Sequence, residues 1–124
     1  MTETRFNIPP DLWARGVDEI YELLADVARR STTITYGDVA QLESVTLEPD
    51  SRAFHHMLGD VSVRAVDLGA PLLSAVVVHR GGGRPGRGFC ELARRLGFEM
   101  ADDPIVEDVF WGRQIEAVHA WWRR

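Results

Sequence analysis

Six apolar side chains in seven residues, Leu72 to Val78 with only Ser74 between them, leave a chain of this size little choice about where to put them. Strict alternation would let one face of a strand meet water, whereas apolar residues at successive positions need cover on both faces. The β-branched content of Val76, Val77 and Val78 predicts a strand. The segment R-G-G-G-R-P-G-R-G over 80–88 cannot extend it, because Gly81 to Gly83 have little strand propensity and Pro85 lacks an amide hydrogen. The rest of the chain is expected to wrap around this run. With 124 residues and 45% apolar content there is material for one core and not two. A single domain over 1–124 is expected, with residues 1–10 a loose N-terminal arm.

The wrapping elements read as helices. After Pro9-Pro10-Asp11, the residues Val17, Ile20, Tyr21, Leu24, Val27 and Ala28 recur at helical spacing as far as Arg30, and Trp13 is placed to close the core. In S-T-T-I-T-Y-G-D-V-A-Q-L, Thr35 is placed to cap a short helix, with Asp38 three residues on as the partner of a weak capping box and Val39, Ala40 and Leu42 facing inward. V-T-L-E-P-D is a connector. Asp50 or Ser51 can then cap a third helix with Phe54, Leu58, Val61 and Ala65 on one stripe. Beyond the glycine run, Phe89, Leu92, Ala93 and Leu96 mark a brief helix ended by Gly97. From Pro104, a favourable first helical residue, Ile105, Val109, Ile115, Val118 and Trp122 support a last helix weakened at Gly112. Helix, short helix, longer helix is the order of a helix-turn-helix module. The expected class is mostly α with a small β-hairpin.

Nothing approaches the roughly 20 apolar residues of a membrane span, and M-T-E-T-R-F-N-I-P-P lacks the basic and apolar regions of a secretory signal. A soluble cytoplasmic protein with no membrane partner is the expectation. Cys90 is the single cysteine, outside any Cys-x-x-Cys or Cys/His cluster, and reads as a small apolar residue. Neither a metal nor a cofactor is expected. The net charge of −5 opposes bulk electrostatic attraction to nucleic acid, but the charge is segregated. Arg80, Arg84, Arg87, Arg94 and Arg95 stand against Glu91 alone, while Glu99 to Glu116 holds six acids against Arg113. Every basic residue is an arginine, suited to bidentate contact with phosphate or carboxylate. GC-rich coding would leave the same mark.

The glycine run fails the phosphate-loop patterns. A Walker loop needs a lysine followed by Ser or Thr, and neither is present. Gly81, Gly83 and Gly86 match the dinucleotide spacing, but the helix is expected to begin only near Phe89 and no parallel βαβ unit is foreseen.

Taken in order, I-T-Y-G-D-V-A-Q-L, S-R-A-F-H-H-M-L and P-L-L-S-A-V-V-V-H-R-G-G-G-R-P-G-R-G-F resemble the C-terminal domain of the alkylguanine-DNA alkyltransferases and their alkyltransferase-like relatives. The resemblance runs from about Ile20 to Gly97, and its specific part is I-T-Y-G-D-V-A. It implies a winged-helix-like, helix-turn-helix fold in which Tyr36 touches the backbone of a flipped nucleotide and Arg52 fills the gap left in the duplex. The family's Pro-Cys-His-Arg falls on Pro71, Leu72, Leu73 and Ser74. The nucleophile position is thus Leu72, the activating histidine is replaced by Leu73 and the arginine by Ser74. Alkyl transfer needs a thiolate, so no transferase activity is expected. His55, His56 and Met57 replace the small residues of the family's recognition helix, and Asp60 stands near its asparagine.

The sequence therefore supports a non-enzymatic DNA- or RNA-binding domain using Tyr36, Arg52, His55, His56, Arg80, Arg84 and Arg87. The alternative is a protein-binding module, of immunity or regulatory type, that meets a basic partner through an acidic Glu99–Glu116 face. His55 and His56 point about 100° apart and cannot share a metal as residues four apart could. Trp111, Trp121 and Trp122 read as helix-docking residues. No catalytic residues are assigned.

Overall fold

The computed structural model describes residues 4–123. Five helices surround one buried segment: α1 (Pro10–Arg29), α2 (Tyr36–Val39), α3 (Arg52–Asp67), α4 (Arg87–Arg95) and α5 (Pro104–Trp122), with strands β1 (Ile34–Thr35) and β2 (Val77–Val78). Among the described residues no helix is long and apolar enough to cross a membrane.

Helix starts obey the expected chemistry. The Thr35 hydroxyl accepts the Asp38 N–H at 3.2 Å, Ser51 accepts the Phe54 N–H at 3.2 Å, and Asp103 accepts the N–H groups of Ile105 and Val106. Ser51, not Asp50, is the cap of α3. α4 begins at Arg87, two residues ahead of Phe89, and Gly97 comes after it with φ +99°.

α1 and α3 cross closely because Gly16 has no side chain. A Cβ there would stand 2.6 Å from Met57 Sδ. Their shared face buries Ile20, Leu24, Phe54, Met57 and Val61 completely. α5 closes the bundle against α1 and the central segment.

That segment is where the sequence reading needs correction. Leu72 to Val78 is buried throughout, as the pattern requires. It is not one strand, however: Leu73–Val76 forms a 3₁₀ turn, and only Val77–Val78 is extended. Nor is the small β element a hairpin. β2 pairs in parallel with β1, Ile34 against Val77 and Thr35 against Val78, with α2 and α3 forming the crossover. The glycine loop returns no strand because it closes on itself: His79 N–H donates to Arg84 O at 2.7 Å and Gly83 N–H to His79 O at 3.3 Å.

A buried turn must find partners for its backbone. The Leu72 N–H donates to Gln114 Oε1 (3.1 Å), the Ser74 N–H to Ser62 Oγ (3.0 Å), and the Trp111 indole N–H donates to Ala75 O (2.9 Å). The Ser62 hydroxyl in turn donates to Ser74 Oγ at 2.7 Å. Side chains from α3 and α5 thus do what a neighbouring strand would otherwise do. Trp111 docks its helix, in keeping with the sequence reading.

α5 carries the second correction. Ile105 and Val109, expected to face the core, are 75% and 50% exposed, while Val118 is fully buried. The helix is anchored from Phe110 onward, through Phe110 on Phe89 and Phe98 and through Trp111, Gln114 and Val118. Its start is held instead by ion pairs, Glu107 to Arg94 and Asp108 to Arg84, which leave Ile105 and Val109 facing out.

Candidate functional site

The N-terminal turns of α3, the length of α4 and Tyr36 enclose a half-open groove of about 760 Å³. Arg52, Arg87, Arg94 and Arg95 line it together with His55, His56 and His79; Asp50 and Glu91 are the acids among its lining residues. A chain with net charge −5 therefore concentrates cationic and protonatable groups around one concavity.

Tyr36 is its fixed point. Its hydroxyl accepts the Gly86 N–H at 2.8 Å, which ties the start of α2 to the end of the glycine loop. The ring lies between two imidazoles, with centroids 4.8 Å from His79 and 5.6 Å from His55. Gly86 lets the His79 ring approach closely, since a Cβ there would stand 2.9 Å from His79 Nε2 and the ring would have to shift. Burial raises the Tyr36 phenol above its ordinary pKa, partly offset by the Gly86 N–H, so the hydroxyl stays protonated.

His55 sits at the groove rim. Burial of its ring lowers its pKa, neighbouring His79 and His56 lower it further, and Asp50 pulls the other way. His56, the next residue, also lines the groove and meets Phe6 at 5.1 Å. The two adjacent histidines therefore meet different rings, as their helical offset dictates. No group of three or more metal-ligating side chains occurs among the described residues.

Arg52 opens α3 beside the groove, its guanidinium 5.7 Å from the Phe6 ring. Arg87 opens α4 and is exposed. Arg80 lies on the exposed loop, outside the groove lining. Arg84 faces away: its guanidinium is 2.8 Å from Asp108 on α5. Arg94 likewise bonds Glu107 at 2.7 Å, and that contact raises its pKa. The two charge blocks seen in the sequence thus meet across the α4–α5 boundary. Two of the five arginines and two of the six acids spend charge on each other.

The sequence reading left His79, Gly86 and Phe6 out of the site. His79 and Gly86 are placed by the loop's self-closure, and local pattern carries no signal for that. Leu72 and Leu73 are fully buried, and burial, followed by nearby Glu107, raises the pKa of the Cys90 thiol. Asp60 does not stand bare near the groove: Arg5 reaches it at 2.6 Å and the Trp13 indole N–H donates to it at 2.7 Å.

No family model, curated protein or solved structure matches the chain.

Proposed function

We propose that this chain is a non-enzymatic nucleic-acid-binding domain of winged-helix-like, alkyltransferase-type architecture, with the groove between α3 and α4 receiving the phosphate backbone. The single observation that carries the reading is the concentration of Arg52, Arg87, Arg95 and three histidines around one concavity of an otherwise acidic molecule. Arginine forks at the rim suit phosphate, and the exposed Gly81–Gly83 stretch lets backbone approach a ligand closely. The motif order around Tyr36 and Arg52 supports the same reading. Leu72 and Leu73, buried where the resembling family keeps its cysteine and histidine, support binding without chemistry. Arg84 is a weaker contact than its sequence suggests, because a ligand must first displace Asp108.

The test is a titration of labelled duplex and single-stranded oligonucleotides at about 50 and about 200 mM salt. Each lost phosphate contact lowers the salt slope by about one. Arg52→Ala/Arg87→Ala is expected to weaken binding to both probes and to flatten the slope. Absence of binding by the parent protein at low salt would contradict the proposal.

A second reading is favoured by the outer face of α5, where exposed Ile105, Val106 and Val109 lie near Asp102 and Asp103. An acidic rim around apolar side chains suits a basic protein partner. Oligonucleotide binding that is absent, with Ile105→Ser/Val109→Ser abolishing capture of a basic protein, would favour this second reading.

A further inference from the structure

The N-terminal arm crosses the face of α3 that adjoins the groove. Arg52, His56 and Asp60 occur at intervals of four and share one side of that helix. All three are engaged by two arm residues. Phe6 meets the His56 ring at 5.1 Å and lies under the Arg52 guanidinium at 5.7 Å, while Arg5 pairs with Asp60 at 2.6 Å. Both also rest on Trp13, Arg5 at 4.0 Å over the ring and Phe6 stacked at 6.2 Å.

The arm holds this position against its own backbone. Phe6 and Asn7 have φ values of +53° and +62°; asparagine tolerates this left-handed region, but a bulky phenylalanine there is strained. The kink is clasped by Arg5 N–H to Ile8 O (3.1 Å) and Ile8 N–H to Arg5 O (2.9 Å), and Ile8 anchors the far end in the core. Phe6 itself remains 43% exposed. A half-exposed ring held by a strained kink is a weak clasp, and it touches two residues that line the groove, Arg52 and His56.

We propose that Arg5–Ile8 is a displaceable strap that competes with a nucleic-acid phosphate backbone for Arg52 and His56. The inference rests on the groove being a nucleic-acid site. Ligand phosphate would take the guanidinium from the Phe6 ring, the strained kink would relax, and the α3 stripe would extend the binding surface beyond the groove. The strap then lowers affinity in the resting protein and sets a threshold for engagement.

Phe6→Ala tests this because it removes the ring without changing charge. The variant is expected to bind a labelled single-stranded oligonucleotide about two- to fivefold more tightly, the span that loss of one exposed cation–π contact represents. Its thermal midpoint is measured alongside, to show that the fold is kept. The parent protein supplies an independent readout: saturating oligonucleotide should speed hydrogen exchange at the Arg5 and Ile8 amides, whose mutual bonds the strap requires. Equal or weaker binding by Phe6→Ala, or exchange that is unchanged or slowed, overturns the strap while leaving the groove as a binding site. Failure of the parent protein to bind removes both.

Discussion

At the scale of single residues, His55 couples the site to pH. Its folded-state pKa lies below the ordinary value of about 6.5, so the folded protein binds fewer protons than the unfolded chain in the interval between the two. Its contribution to stability is complete above pH 6.5 or so and declines as pH falls through the folded value. His55→Gln should remove that part of the acid loss in a series of chemical denaturation curves, whereas loss of the same size in parent and variant would contradict the assignment. An anion in the groove favours the imidazolium, so oligonucleotide affinity should rise as pH falls through the same interval, and less so in the variant. The place of Tyr36, at the start of a short helix capped by Thr35, was legible. Its partner, Gly86, was not, because fifty residues and a self-closing loop separate them.

Among the elements, helix ends were the most legible. Thr35, Ser51, Pro104 and Gly97 each act through a local bond or dihedral that three or four residues determine, whereas the Asp103 cap was not foreseen. The small sheet was opaque for the opposite reason. β1 is two residues long, too short to show alternation, and its partner lies across a crossover. α5 misled because its sequence is apolar around most of its circumference, so spacing alone could not choose the buried side. Gly112 in that helix offers a direct check. A Cβ there would touch nothing within 4 Å, so Gly112→Ala should stabilise the protein by about 0.5–1 kcal/mol in urea denaturation. Destabilisation would mean the helix meets something on that side. By contrast Gly16→Ala must collide with Met57 and should destabilise. Glu19 links two further elements. Burial opposes its charge, but the Ser44 hydroxyl and the N–H groups of Glu43 and Ser44 together lower its pKa, pinning the connector to α1.

For the whole molecule, the seven-residue apolar segment is the centre around which the helices arrange themselves. Leu72 and Leu73 are fully buried, and each truncated to alanine should cost about 2–5 kcal/mol. Against the 5–15 kcal/mol typical of a domain, Leu72→Ala/Leu73→Ala should leave little folded protein at ambient temperature, which circular dichroism would show. A native-like melt in that variant would contradict the central position of the pair. With the interior of that segment given over to packing, the binding reading rests on the surface groove, and mapping which amides respond to a ligand tests it most directly. On addition of a short oligonucleotide to isotope-labelled protein, the account predicts amide shift changes at Arg52 to His56 and at Gly86 to Gly88, with Ile105 to Val109 silent. Changes confined to the α5 outer face, or none anywhere, would contradict it.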